Sequence, residues 1–336
     1  MYLDYFGLKT NPFSLSSDAN CVYYSNSHCE AMAHLLYGVR ERKGLILLLG
    51  EAGTGKTTMV RATLELLRST RVVSSVIFNP VIESAQELLQ SVLGGFGIET
   101  APTAMEMIGT LQNFLKLEAA HGLIPVLVVD EAQQLSRSTL EHIRLLSNLE
   151  HNGEKLLQII FSAQPEMGEL LADPKFTALR QRITIRCRLG TLGPNEVWLY
   201  LATRIAHAGG DGRLIFSPDA AFAVLGCSRG IPRVINSIAD NCLLAAYAKN
   251  TAVVDVQLVR EVADHLELPF HTVTQRTGNT MSEEMLRAAG SWAESVAALR
   301  NNGAPTAVLR FVDGLRLQDG SELMSSPVLT GTSEAQ

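Results

Sequence analysis

Eight residues, Gly50-Glu51-Ala52-Gly53-Thr54-Gly55-Lys56-Thr57, join an apolar run, Leu45–Leu49, to a helix-like segment that opens at Thr58. Glycines at this spacing let a backbone wrap closely around a bound group, with successive N–H groups and a helix N-terminus aimed at it. Lysine then adds a cation and threonine a hydroxyl. A strand entering such a turn and a helix leaving it belong to an α/β fold with a parallel sheet, and the matching ligand is a polyphosphate. The loop from Gly50 to Thr58 would cradle a nucleoside triphosphate, with Lys56 on the β- and γ-phosphates and Thr57 on Mg²⁺.

A second motif lies downstream. Val126-Leu127-Val128-Val129-Asp130-Glu131 is an apolar, β-prone run ending in two carboxylates, which predicts a buried parallel strand with acids at its C-terminal end. Ligands of open α/β sheets bind beyond the carboxyl ends of the strands, so Asp130 is expected beside the loop, holding the Mg²⁺ shell. Glu131 is then free to polarise an attacking water, the role of a general base.

The chain's 336 residues, 46% hydrophobic and 18% charged, suit more than one globular unit. A net charge of −6 provides no global basic field for nucleic acid, so that partner is not favoured, although a local basic groove is compatible with it. No apolar stretch is long enough to span a membrane and the N-terminus has no signal-peptide pattern, so a cytoplasmic location is expected. Five scattered cysteines without paired spacing fit a reducing compartment.

Periodicity predicts helices over 27–42, 58–67, 84–96, 104–121 and 138–150, and strands over 72–78, 124–130 and 156–162. From Leu179 to Leu189 an alternation of basic and apolar residues predicts another strand, with Arg182, Arg186 and Arg188 on its open face. Beyond Pro194 the pattern is helical: 195–209, 217–227, 231–249 and 255–266. The expected organisation is an N-terminal segment (1–44), a nucleotide-binding core (45–192) whose sheet carries helices on both faces, a small all-helical lid (193–268) and a loosely ordered tail (269–336) with one modest helix at 282–301.

This arrangement resembles an AAA+ ATPase, a P-loop core followed by a helical lid. More narrowly, Tyr5-Phe6-Gly7-Leu8, Asn11-Pro12-Phe13, Leu36-Tyr37-Gly38, the phosphate loop, Asp130-Glu131-Ala132-Gln133, Ala163-Gln164-Pro165-Glu166 and Gly230-Ile231-Pro232-Arg233-Val234-Ile235-Asn236 resemble the ExeA-like family. That family is the ATPase A component associated with general (type II) secretion, with relatives near pilus and exopolysaccharide loci. The resemblance covers about residues 1–268. It implies ATP as the nucleotide, hydrolysis to ADP and phosphate, and Ser162 or Gln164 as the sensor of the γ-phosphate or attacking water. It also implies Arg233 as a lid arginine that touches the phosphates, and Arg180 or Arg182 as a finger completing a neighbouring subunit's site, hence a homo-oligomer.

Family members commonly continue into a transmembrane segment and a peptidoglycan-binding domain, and this sequence stops at Gln336 before either. The resemblance therefore leads to the expectation of a cytosolic motor or switch for assembly of an envelope secretion, pilus or polysaccharide system, brought to the inner membrane by a partner protein. The alternative is an oligomeric DNA-binding ATPase of the transposition-regulator type, with Arg182, Arg186 and Arg188 or the 40–43 segment lining a groove.

Overall fold

The computed structural model describes residues 1–14, 23–68, 71–78, 80 and 82–271. Its strands are β1 (Leu45–Gly50), β2 (Val72–Ile77), β3 (Ile124–Val129), the short hairpin pair β4 (Glu150–His151) and β5 (Glu154–Lys155), β6 (Gln158–Ala163) and β7 (Ile183–Leu189). All but the hairpin join one parallel sheet in the order β2-β3-β6-β1-β7. Consecutive residues of a strand face opposite sides, so the runs that looked uniformly apolar split between two cores. Leu45, Leu47, Leu127, Val129, Ile159 and Phe161 enter one, while Ile46, Leu48, Val126, Val128 and Ile160 enter the other.

Helices cover both faces. After the single turn α1 (Tyr2–Tyr5) come α2 (Asn26–Arg40) and α3 (Lys56–Arg68), whose Leu35, Leu36, Met59 and Leu67 close the second core. The first core is closed by α4 (Ala85–Gly95), α5 (Ala104–Ala120), α6 (Arg137–Leu146), α7 (Glu166–Ala172) and α8 (Thr177–Arg182). Hydroxyl caps start four of these helices: Ser25, Ser84, Thr103 and Ser136 accept from the N–H groups of His28, Glu87, Glu106 and Thr139. Each such cap contributes about 1 kcal/mol.

A third core belongs to α9 (Pro194–His207), α10 (Pro218–Ser228), α11 (Pro232–Ala248) and α12 (Val256–His265), built on Val197, Leu201, Val224, Ile235, Ile238 and Val259. Proline opens the first three, where its missing N–H breaks no helical bond. The N-terminal residues pack on this bundle. Phe6, Leu8 and Phe13 are buried in its core, Phe13 meeting Phe216 edge to face at 6.0 Å. Arg204 Nε donates to the Pro12 carbonyl at 2.5 Å, the Lys9 N–H to the Ala208 carbonyl at 2.7 Å, and the Tyr2 hydroxyl to Asp240 at 2.6 Å.

Two local expectations are corrected. The strand predicted from Leu179 begins only at Ile183, and Arg180 and Arg182 belong to the last turn of α8. The helix predicted over 138–150 ends at Leu146, after which the chain turns through the hairpin at Asn152 and Gly153, both at positive φ (52° and 82°). The helix expected at 282–301, the tail beyond residue 271 and Cys21 lie outside the described residues.

Candidate nucleotide-binding site

The phosphate loop leaves the C-terminal end of β1 and enters α3 at Lys56. Gly53 (φ +81°) and Gly55 (φ +97°) occupy the left-handed region open to glycine, and the loop is tied across its base. The Thr54 hydroxyl donates to the Glu51 carbonyl at 2.8 Å, and Lys56 Nζ donates to the carbonyls of Gly50 (2.9 Å) and Glu51 (3.2 Å). Burial lowers the Lys56 pKa from its ordinary value, against the pull of Glu131, Asp130, Glu51 and Glu166 around it. Ala52 and Thr58 complete the loop and the first helical turn, Ala52 on the surface and Thr58 half-buried.

Asp130 follows β3 directly and is 5% exposed. Its two carboxylate oxygens are shared out: Thr57 Oγ1 donates to Oδ2 at 2.5 Å, and Ser162 Oγ, from β6, donates to Oδ1 at 2.6 Å. The order β3-β6-β1 makes this possible, because the strand carrying Ser162 lies between the strand that feeds the loop and the strand that carries the aspartate. Glu131, at φ 51°, has a separate set of side-chain partners. Both Gln133 Nε2 (2.6 Å) and Gln164 Nε2 (2.9 Å) donate to its Oε2, and the Gln164 N–H donates to Gln133 Oε1 at 3.1 Å. Burial raises the Glu131 pKa, but the two amide donors and the Lys56 charge outweigh it, and the net shift is downward. Sequence reading gave no role to Gln133, although it stands in the same Asp130-Glu131-Ala132-Gln133 run.

The lid reaches the loop through the start of α11. The Arg233 N–H donates to the Gly53 carbonyl at 3.2 Å, and a Cβ on Gly53 would stand 2.8 Å from Arg233 Cβ. Arg233 is thus beside the phosphate loop. Arg180 and Arg182 are not. Ile183, immediately after α8, pairs with Leu45 at the start of β1, whereas the loop begins at that strand's far end. At ~3.3 Å per residue this separates the two positions by roughly 16 Å. Both arginines are exposed at that opposite rim, where the Arg182 charge acts on Glu150 of the hairpin.

A parallel sheet with helices on both faces, a phosphate loop on a central strand, paired acids beyond β3 and a helical lid against the loop define a P-loop nucleotide-binding protein of the AAA class. The AAA domain family matches residues 39–171. General secretion pathway protein A of Aeromonas hydrophila is 39% identical over 253 residues, covering 75% of this chain and 46% of that protein. The chain belongs to the ExeA-like AAA ATPases, and it spans under half the length of that relative. Among solved structures it is similar to Cdc6p of Pyrobaculum aerophilum (TM-score 0.61, 15% identity, covering 91% of this chain and 89% of that one). It is also similar to ORC2 of Aeropyrum pernix (0.58, 13%, 92% and 89%) and to Drosophila ORC bound to DNA (0.56, 15%, 91% and 84%). At these identities the likeness is one of fold. No helix among the described residues is long and apolar enough to cross a membrane.

Proposed function

We propose that this chain binds ATP with Mg²⁺ and hydrolyses it, and that nucleotide state is transmitted to partners through the lid. The observation that carries this reading is the Glu131 carboxylate: both amides donate to Oε2, leaving Oε1 to accept a proton, on the residue that directly follows Asp130 and is acted on by the Lys56 charge. The loop fits a polyphosphate by its two left-handed glycines and its lysine, and the Thr57 and Asp130 oxygens are the hard donors that Mg²⁺ prefers. Once bound, Mg²⁺ would neutralise charge building on the β- and γ-phosphate oxygens.

In this mechanism Lys56 and the loop N–H groups hold the phosphates in line. Glu131 Oε1 takes a proton from water as the water oxygen bonds to the γ-phosphorus and the bond from that phosphorus to the bridging oxygen of ADP breaks. Gln164 is assigned to orient Glu131 and the water, and Ser162 to fix Asp130, because each is committed to that carboxylate. Arg233 would contact phosphate from the lid. Arg180 or Arg182, too far from their own loop, would act on a second copy. The likeness to general secretion pathway protein A supports assembly of an envelope secretion system as the process served, with the partner recruiting the chain to the inner membrane.

A second reading is duplex DNA binding. It draws on the exposed Arg186 and Arg188 of β7, an edge strand of the sheet. Retention on duplex DNA that falls steeply with salt would favour it. The first reading is tested by comparing Lys56→Ala with Glu131→Gln. The lysine variant should lose binding of a labelled ATP analogue, whereas the glutamine variant should bind it and release no phosphate. Equal loss of binding in both folded proteins would overturn this division of roles.

A further inference from the structure

Gln133 stands in the short 3₁₀ turn Ala132–Gln134 that follows the proposed general base, and both ends of its side-chain amide are engaged. Nε2 donates to Glu131 Oε2 at 2.6 Å, and Oε1 accepts the Gln164 N–H at 3.1 Å. Those partners fix which way round the amide sits. An ionised carboxylate only accepts and a backbone N–H only donates, so the reversed amide would set oxygen against oxygen and N–H against N–H. The Gln164 side chain closes the ring, its Nε2 donating to the same Glu131 Oε2 at 2.9 Å. Glu131, Gln133 and Gln164 are thus each bonded to the other two, joining the end of β3 to the end of β6.

The two glutamines hold Glu131 in different ways. Gln164 reaches the carboxylate with its side chain, whereas Gln133 takes hold of the Gln164 backbone and so ties Glu131 to the main chain at the end of β6. That tie meets a local need. Glu131 has φ 51° and ψ 40°, a left-handed conformation that residues with a Cβ disfavour and that persists only where the surroundings hold it. Its N–H donates to Asp130 Oδ1 at 3.1 Å and its carbonyl accepts the Gln134 N–H at 2.9 Å. Those bonds fix the backbone, and the two amides fix the carboxylate carried on it. A base that takes a proton from an in-line water loses rate steeply when its oxygens are misplaced.

We infer that Gln133 is a positioning residue for hydrolysis: by bridging Glu131 Oε2 to the Gln164 N–H it holds the base and the end of β6 in one arrangement. The inference rests on the hydrolysis reading above, in which Glu131 Oε1 takes the proton from water. It predicts a loss of kcat with nucleotide affinity preserved, because the loop glycines, Lys56 and Thr57 are untouched by the bridge.

Two substitutions of similar length separate positioning from packing. Gln133→Met keeps the bulk and removes both hydrogen bonds. Gln133→Glu keeps the shape and the acceptor for the Gln164 N–H but sets a second carboxylate against Glu131 Oε2. Gln134→Met, at the exposed neighbour on the same turn, is the control. For each protein kcat at saturating ATP, the dissociation constant for a labelled ATP analogue and the melting temperature would be measured. Both Gln133 variants should hydrolyse ATP at least about tenfold more slowly than the parent while binding the analogue within about threefold, and the control should keep the parent rate. A glutamate variant that works at the parent rate would overturn the inference, even should the methionine variant fail to fold. So would analogue binding that weakens in step with the rate, or a control that slows as much, since either marks a general role in holding the turn. If the parent hydrolyses no ATP, or if Glu131→Gln hydrolyses it as fast as the parent, the base assignment falls instead and this inference falls with it.

Discussion

Thr57 Oγ1 stands 2.5 Å from Asp130 Oδ2, so the end of the phosphate loop and the end of β3 are joined by a single short hydrogen bond. Ser162 Oγ, 2.6 Å from the other Asp130 oxygen, holds the carboxylate from the intervening strand. Three strand ends thus converge on one acid, and the N–H of the adjacent Glu131 also donates to its Oδ1 at 3.1 Å.

The first prediction concerns metal dependence. Asp130→Asn replaces an anionic oxygen donor with a weaker neutral one while retaining its shape, so the gain in ATP affinity on adding Mg²⁺ should shrink by about tenfold or more. Affinity measured in chelator should stay near that of the parent. Titrations with and without Mg²⁺ check this, and an unchanged ratio would remove Asp130 from the metal site.

A second prediction follows from the amide pair on Glu131. In the proposed mechanism hydrolysis needs this carboxylate ionised, so the acid limb of the rate profile should lie below the ordinary glutamate range, in line with the lowered pKa of Glu131. Gln164→Leu removes one donor to Oε2, which raises that pKa and moves the limb to higher pH. Away from the limb, kcat should fall by about tenfold to a hundredfold with ATP affinity little changed. Rate profiles of the two proteins decide the point; an unmoved limb with an unchanged plateau would leave Gln164 without its assigned role.

Much of this site was legible from sequence because phosphate chemistry restricts residue type and order together. Gly53, Gly55, Lys56, Thr57 and Asp130 each meet a steric or charge requirement that few residues satisfy. Ser162 and Gln164 could not be told apart in one dimension, since both lie at the end of the β6 run; the fold puts one on Asp130 and the other on Glu131. Arg182 was misread as a strand residue because the alternation of β7 extends by chance into the last turn of α8, a six-residue helix too short to show its own period. The packing of Phe6 and Phe13 on the lid is a long-range contact that no local pattern encodes.

Phe13 supplies the third prediction. Its ring is 1% exposed and meets Phe216 within the lid core, far along the chain from its own position. Phe13→Ala should destabilise the protein by about 3–5 kcal/mol, the range for a buried aromatic cut to a methyl. Denaturant unfolding measures the loss, and a change below about 1 kcal/mol would mean the N-terminal segment is dispensable to the lid.

At Gly230 the constraint is backbone against backbone. Its φ is +74°, and an added Cβ would stand 2.1 Å from the Leu192 carbonyl oxygen, in the connection between β7 and α9. Leu192 also donates its N–H to the Gly230 carbonyl at 2.8 Å, so the segment has no slack. Gly230→Ala should shift the lid relative to the loop and lower stability by about 2 kcal/mol or more. Calorimetry checks this, with Gly97→Ala as a comparison, because Gly97 has a similar φ (+74°) and open space around it.

The last prediction concerns assembly. Arg182 ends α8 at the rim roughly 16 Å from its own phosphate loop, so any action on a γ-phosphate must be on another copy. A finger supplies a cation where charge builds during phosphoryl transfer, and activity per protomer should therefore rise with protein concentration as copies associate. Arg182→Ala should remove that rise while leaving ATP binding intact. Mixing Arg182→Ala with Lys56→Ala is the sharper test, since one interface in such an assembly pairs an intact Lys56 site with an intact Arg182. Partial recovery of hydrolysis in the mixture is the expected result. No recovery despite confirmed co-assembly would leave Arg182 as a solvated helix-end residue and transfer the same test to Arg180, two positions earlier on the same turn.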